Sequence, residues 1–576
     1  MTNARLAGMF ALVFLVPGVR PLLAQPTTRV SVDSNGIQGD QTSWLPAISA
    51  DGRYVAFESA ATNLVPGDTN ARSDVFVRDL VGSRTVRVSV SSSGAQAKGG
   101  GSFHVAVSSD GRFVAFASDA KNLVSGDGNG YTDVFRHDRD ADGNGIFDEP
   151  SGISTIRVSV DSGGAEGNFF SDYPSISGDG RFVAFASAAW NLVPGDSNDL
   201  YDVFVHDCQT GRTVRVSVDD SGQEADGDSG PSVLSTDGRF VAFSSNATNL
   251  VASDTNGCLD IFVHDRDADG NGVFDESGGI LTTRASVDSA GGESNGSSTQ
   301  PSMSADARFV AFASDAVNLV GGDTNGRSDA FVHDRLTGET TRVSVDSAGA
   351  QGNSESGYPP SISVDGRFVA FASIATNLVS DDTNSAPDVF VRDRETGITT
   401  RVSLDSAGTE TGNNIEGGAF DPAISGDGRL VAFESLASDL VPGDTNVASD
   451  VFLRDRIDLH FNGVPSYPNS VNYTLTNANG DTGKLALVML SCTGIGGFAL
   501  PDGRTILLTF DACTVLGFQF SFILSGTVDG SGSATTPLFQ FPLAPPGVTI
   551  DCAAVTIDLP LGKFVSISGP IAFVTQ

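Results

Sequence analysis

The sequence predicts an all-β protein: a seven-bladed β-propeller closed by its own N-terminal strand, followed by a separate β-sandwich-like domain. Three observations carry this reading. The segment Ser49-Ala50-Asp51-Gly52-Arg53-Tyr54-Val55-Ala56-Phe57 recurs with its Asp at 110, 179, 237, 306, 365 and 427, giving seven copies spaced 58 to 69 residues apart. Each copy carries four strand-like pieces. A motif of the Arg-Val-Ser-Val type ends six of the copies, and its seventh occurrence, Arg29–Val32, stands ahead of the first copy instead of after Asp455.

Taken in chain order, residues 1–24 read as a secretory signal peptide. Arg5 precedes a mostly apolar run from Leu6 to Val19, and Leu22-Leu23-Ala24 precedes Gln25. The mature chain is expected to be exported, to the periplasm, the cell surface or the medium. No later stretch approaches the ~20 apolar residues of a membrane span.

Residues 25–456 form the expected propeller. In the first copy the strands are Pro46–Ser49 (A), Arg53–Ser59 (B), Asp74–Asp79 (C) and Thr85–Val90 (D). Asp-Gly between A and B signals a tight hairpin, since Gly accepts the positive φ such turns need. Strand B of the second copy, Phe113-Val114-Ala115-Phe116-Ala117, is apolar at both parities, so both faces of each sheet have to be covered. Blades stacked around an axis do this. Pairing of 29–32 with strand C near 450–455 would close the ring and leave no open edge. Residues 457–576 change to a different apolar pattern with Gly, Asp and Pro turns, which predicts the β-sandwich-like domain.

A net charge of −36 and a pI near 4.2 exclude nucleic acid and anionic membranes as natural partners and leave cations as the favoured small ones. Acidity also keeps an exported protein soluble, whatever it does. The five cysteines cannot all pair within the chain. Cys208 and Cys258 fall at opposite ends of their blades and should stay free; a bridge among Cys492, Cys513 and Cys552 is the expected one.

The Ser-x-Asp-Gly-x-x-Val-Ala-Phe core with its Asp-Val-Phe-Val-x-Asp strand resembles the TolB-like (WD40-like) propeller repeat over roughly 29–456. The resemblance implies an interaction platform, and related propellers accompany hydrolase or lyase domains.

Two insertions carry chemistry. Asp138–Glu149 and its twin Asp265–Glu276 lie in the C–D hairpins of copies two and four, with carboxylates alternating around Gly. Oxygens so arranged suit Ca²⁺. The preferred register uses Asp140, Asp142, Asn144, the Ile146 carbonyl, Asp148 and Glu149, with Asp267, Asp269, Asn271, the Val273 carbonyl, Asp275 and Glu276 in the second loop, and the ion is expected to be structural. A weaker signal, Asp68-Thr69-Asn70 with Asp74 and its equivalents, reads as Asx turns before metal sites.

Gly227-Asp228-Ser229-Gly230-Pro231 spells a protease nucleophile motif, but it lies in repeat sequence and reads as framework. His137, His206, His264 and His333 share one strand-C position with Arg78, Arg392 and Arg454, which suggests solvation or salt bridging. Ala307 replaces Gly in one Asp-Gly-Arg turn and should be strained.

The function expected is that of a non-enzymatic binding or scaffold propeller, its ligand a polar molecule, glycan or envelope protein. The alternative is a carbohydrate-active enzyme, a lyase or hydrolase, using acidic residues at the propeller mouth. Long B–C and D–A links mark one face as the binding face. Charge supports that face. Arg53, Arg112 and Arg181 sit at the short-turn end, and Arg87, Arg157 and Arg215 are expected to start strand D near it and pair with carboxylates such as Asp79.

Overall fold

The computed structural model describes residues 27–410 and 418–456, together with the backbone of six strands between 459 and 574. Residues 1–24, read from the sequence as a signal peptide, lie outside the described residues, as do Cys492 and Cys513 and the Cys552 side chain.

Seven four-stranded antiparallel sheets form blades 1 to 7. In blade 1 the strands are A Ser43–Ile48, B Tyr54–Ser59, C Asp74–Asp79 and D Arg84–Arg87. Strands A of neighbouring blades pack on one another all round, including blade 7 on blade 1, so they line the axis and strands D form the rim. The N-terminal strand closes the ring as expected, but two residues earlier than 29–32: Thr27–Arg29 pairs with Phe452–Arg454 and supplies the fourth strand of blade 7. Beyond Arg456, six strands pair into one sheet, with 472–474 parallel to 497–499; a second layer is not among the described residues.

Two strand limits of blade 1 differ from the sequence reading by three residues, the others by at most one. Strand A begins three residues earlier, because Ser43 and Trp44 pair with Ser59 and Glu58 across a bulge that precedes Ala47. Strand D stops at Arg87, because the N–H groups of Val88 and Ser89 both turn to the Val75 carbonyl.

The core lies between blades. Ala56, Val75 and Val77 of blade 1, all fully buried, pack with Val114, Phe116 and Phe135 of blade 2, and the same arrangement recurs around the ring. Burial of both sheet faces is why strand B is apolar at both parities.

Repeated polar residues build the frame. Ser49 Oγ donates to Asp51 (2.5 Å), Asp51 accepts the Arg53 N–H (2.9 Å), and the Arg53 guanidinium forks onto Asp79 (3.1 and 2.8 Å). The Ser of the Arg-Val-Ser-Val motif, Ser89, donates to Asp74 Oδ1 (2.6 Å) while Arg87 grips Oδ2 (3.2 Å). Thr85 Oγ1 donates to the Val32 carbonyl of the preceding blade (2.5 Å), and equivalent threonines stitch the remaining blades.

Those threonines overturn the reading of the histidine position. His137, His206, His264 and His333 are buried, each with Nδ1 2.9 Å from a Thr Oγ1. Each hydroxyl already donates to a carbonyl, so Nδ1 carries the hydrogen. Arg78 and Arg392 donate to the same hydroxyl (3.0 Å), which is why His and Arg interchange there. Burial pushes His137, His206 and His264 down to about 4.

Arg87, Arg157 and Arg215 also differ from expectation. They end strand D, and they reach the start of strand C and the B–C loop: Arg87 lies 3.2 Å from Asp74 and 3.1 Å from Asp68. Basic groups therefore stand at the long-loop end as well. Part of the D–A link is likewise framework in the blades with Arg at this position, where Arg78, Arg392 and Arg454 donate to the Asp33, Asp346 and Asp405 carbonyls of the preceding blade (2.9, 2.9 and 2.7 Å).

Candidate functional site

Recurring residues build the frame, so a site is to be sought where one blade departs from the others. The strongest departure is on the axis. At the strand-A bulge the residues Leu45, His104, Tyr173, Gln300 and Asp421 have φ between 46° and 55°, a left-handed conformation that costs about 1–3 kcal/mol for a non-glycine residue. Strand B position 58, which faces the bulge, is Glu in blades 1 and 7 and Ala or Ser in the rest (Ala117, Ala186, Ser244, Ala313, Ala372).

These residues join blades 7, 1, 2 and 3 into one arc. Glu434 accepts the Leu45 N–H (3.0 Å), and Glu58 accepts the His104 N–H. His104 Nδ1 lies 2.7 Å from Asp172 Oδ1, and its ring stacks on Tyr173 at 4.4 Å. Ser43 and Ser59 mark the ends of strands A and B that adjoin the D–A and B–C links, so the arc sits toward the long-loop end.

Burial dominates the electrostatics. Glu58 is 1% exposed, and burial pushes its carboxyl up to about 7 despite the His104 N–H. Burial, then the Asp421 charge, takes Glu434 to about 7. For His104 burial acts downward, but the hydrogen bond and charge of Asp172 outweigh it and leave the imidazole above its ordinary value. The arc thus combines two carboxyls that hold protons near neutrality with a half-buried imidazole oriented by a carboxylate. Of this set the partly exposed His104, Asp172 and Glu434 can hydrogen-bond a polar ligand, while Glu58 holds the His104 backbone from within. The sequence reading placed acidic residues at the mouth without naming them; the available signal was Glu where five blades have Ala or Ser.

The calcium-type residues are brought together in part. In the first loop Asp140 accepts N–H groups of Asn144 and Gly145 (3.0 and 3.1 Å), and Asn144 Nδ2 donates to Asp142 (3.0 Å) and Glu149 (2.6 Å). Asp142 and Glu149 thus both accept from the Asn144 amide nitrogen, which stands between them. Asp148 is instead gripped at 2.8 and 2.7 Å by Arg139. The Ile146 side chain is exposed, and its N–H donates to Asn144 Oδ1. In the second loop Asp267 accepts the Gly272 N–H, Asn271 joins Asp269 and Glu276, Asp275 is held by Arg266 at 2.8 and 2.6 Å, and Val273 donates to Asn271. Both loops clamp the blade before them. Phe147 packs on Tyr54 at 5.6 Å and Phe274 on Phe182 at 5.5 Å, the latter beside a cleft of about 370 Å³ lined by Arg181, Arg212 and Asp275.

Three further carboxylate groups, Asp127/Asp133/Glu166, Asp196/Asp202/Glu224 and Asp382/Asp388/Glu410, have oxygens within 4.8 Å of one another. A guanidinium already sits among them: Arg157 Nη1 is 3.8, 3.0 and 2.8 Å from the first set. Asn70 Oδ1 accepts the Arg72 N–H (3.0 Å), the Asx turn expected of this loop. Ser229 is buried and donates to Ser245 (3.0 Å), a pair repeated in other blades as Ser43 with Ser59 and Ser102 with Ser118, so it is framework. Cys208 and Cys258 are free thiols, as expected.

No family model matches the chain, and no curated protein does. Solved structures to which it is similar include TolB from Acinetobacter baumannii, at 14% identity over 64% of this chain and 65% of that one, with a TM-score of 0.32. An oligogalacturonate lyase in complex with manganese shares 12% identity over 75% and 93% of the two chains, with a TM-score of 0.42. The β-propeller domain of the Trilobed protease from Pyrococcus furiosus shares 8% over 72% and 96%, with a TM-score of 0.41. The match thus spans just under two thirds of that TolB. Likeness at this level bears on fold alone, and the assignment made here rests on the molecule's own seven sheets and their closure. The chain is an all-β protein whose main body is a seven-bladed β-propeller closed by its N-terminal strand.

Proposed function

We propose that the protein is an exported, calcium-stabilised binding propeller whose ligand, a polar or cationic molecule, sits at the long-loop end of the central axis against the arc from Glu434 to Tyr173. The carrying observation is the His104–Asp172 pair, a 2.7 Å contact between two partly buried side chains of neighbouring blades that, among the described residues, no other pair of blades repeats. A frame built for stability alone would repeat its contacts. Export rests on the character of residues 1–24; among the described residues no helix is long and apolar enough to cross a membrane. Calcium would be held by Asp140, Asp142, Asn144 and Glu149, and by Asp267, Asp269, Asn271 and Glu276, where it would offset carboxylate repulsion in the clamping loops.

A glycan and envelope-protein binding screen tests this reading, run with the wild type, His104→Ala and Asp172→Asn. The expected result is a ligand lost in both variants while the fold is kept; a ligand bound equally by all three would sink it.

A second reading, a carbohydrate-active enzyme, is favoured by the same pair. An imidazole whose Nδ1 is held by a carboxylate presents Nε2 as an acid or base, and Glu58 holds a proton near neutrality. Turnover of a glycan that disappears in His104→Ala would decide for it.

A further inference from the structure

A second departure from the repeat lies beside the arc. Trp190 stands where the other blades have Thr62, Lys121, Thr248, Val317, Thr376 and Ser438, and Phe170 where they have Thr42, Gly101, Asp228, Ser297, Glu355 and Gly418. At the position of Phe169 blades 2, 4 and 5 carry Gly100, Gly227 and Gly296, where an added Cβ would meet a neighbour at 2.3 to 2.7 Å. Blades 1 and 6 carry Gln41 and Ser354 there, and blade 3 alone places an aromatic residue. Tyr131 joins from blade 2, where blades 1 and 5 have Arg72 and Arg327.

The rings form one cluster. Tyr131 lies 4.8 Å from both Phe169 and Phe170, those two meet edge to face at 5.0 Å, and Trp190 is 6.5 Å from Phe169. A cluster serving only to cap the core would be buried. Instead Trp190 is 52% exposed, Phe170 39% and the nearby Tyr173 44%. Half-exposed aromatic surface of this extent on a rigid frame marks an interaction site.

The chemistry around it selects the occupant. The net charge of −36, with Asp172 two residues from Phe170, disfavours an anionic polymer. A small cation needs rings that open around it, and these pack edge to face on one another. A pyranose ring offers an apolar C–H face to lie flat on an aromatic ring and a rim of hydroxyls for neighbouring polar groups. One such group is at hand: Asp172, partly exposed, lies two residues beyond Phe170 and 2.7 Å from the His104 ring.

We propose that Tyr131, Phe169, Phe170 and Trp190 form a ledge for an uncharged oligosaccharide, which the segment Phe170–Tyr173 leads toward the His104–Asp172 pair. This rests on the reading that the long-loop end binds ligand, and it names the ligand's class.

Native electrophoresis of the full chain in gels containing galactomannan, arabinoxylan or hydroxyethylcellulose tests it, with polygalacturonate as the anionic comparison. The expected result is retardation by a neutral polysaccharide and none by polygalacturonate. Trp190→Ala and Phe170→Ala should each weaken the interaction about tenfold or more, while Trp190→Tyr keeps most of it and all three variants melt as the wild type does. Retardation by polygalacturonate alone, or by none of the polymers, overturns the proposal. So does neutral-polysaccharide binding that survives both alanine variants; if that binding is lost in His104→Ala, the arc stands and the ledge falls. Binding lost in the ledge variants but untouched by His104→Ala and Asp172→Asn supports the ledge and removes the arc.

Discussion

Arg136 of blade 2 reaches into the place that Cys208 leaves open in blade 3. In five of the other six blades the residue after strand C is an arginine (blade 1 has Leu80), such as Arg266, whose Nη1 donates to the Gly238 carbonyl at 2.7 Å while its guanidinium lies 4.8 Å from the Phe182 ring of the preceding blade. Blade 3 has Cys208 there, and Arg136 supplies the same pair of contacts from the other side, to the Gly180 carbonyl at 2.7 Å and over Phe113 at 4.7 Å. The position of Arg136 is Val, or Leu once, in every other blade. Arg136→Val should leave the Gly180 carbonyl unpaired and cost about 1–3 kcal/mol in denaturant unfolding. Adding Cys208→Arg to it should restore most of the loss; an additive double mutant would refute the compensation.

Ala307 has φ 57°, and it occupies the turn position where the other six blades place Gly. At Gly111 or Gly180 a Cβ would lie 2.1 Å from the aromatic ring of the preceding blade, so blade 5 both strains its backbone and displaces a ring. Against this, Ala307 buries one methyl group, worth about 0.8 kcal/mol. Relief of φ strain is worth about 1 kcal/mol and the crowding adds to it, so Ala307→Gly should raise the melting temperature slightly. Gly111→Ala should lower it by more than Ala307→Gly raises it. The reverse order would mean that the buried methyl outweighs the strain.

The repeat made most of the frame legible in the sequence. Ser49, Asp51, Arg53 and Asp79 recur because they bond one another, and the displaced Arg29–Val32 announced the closure because hydrogen-bonded edges have to be paired. The arc was less legible. Glu58 and His104 are far apart in sequence, and they meet only because a bulge turns the His104 N–H toward the preceding blade. The acceptors of buried groups were not legible either: a position that alternates His and Arg looks solvent-facing until the threonine hydroxyl that both address is known.

The carboxylates of the first insertion ask for different outcomes. Asp148 neutralises Arg139, which is 2% exposed, so Asp148→Asn strands a buried charge and should cost roughly 3–5 kcal/mol with or without calcium. Asp142 and Glu149 touch only Asn144 among the loop side chains hydrogen-bonded to them. Asp142→Asn and Glu149→Gln should leave the metal-free melting temperature almost unchanged and abolish its rise on adding Ca²⁺ to chelator-treated protein. A wild-type melting temperature indifferent to Ca²⁺ would remove the ion from the account.

Glu58 and Glu434 give stability a pH dependence of definite sign. In the unfolded chain both ionise near the ordinary glutamate value of 4.5; in the native propeller burial holds both protonated up to about 7. Between those values the native state keeps protons that the unfolded chain has released, so stability falls as pH rises through the window and levels off above it. Asp196, Asp382 and Asp388, raised to about 6 chiefly by burial, act in the same direction over the lower part of the range. The buried histidines oppose them, since the unfolded chain takes up protons below about 6.5 that His137, His206 and His264 refuse. The net slope of the wild type therefore mixes both groups, and the informative quantity is the difference from Glu58→Gln/Glu434→Gln. Each glutamine amide oxygen can still accept the N–H of His104 or Leu45, so the hydrogen bonds survive and only the titration is removed. The double variant should gain on the wild type steadily from pH 4.5 to 7 and hold that gain above 7, measured by denaturant unfolding across the range. A difference that does not change with pH would mean that both carboxyls ionise in the native state as they do in the unfolded chain.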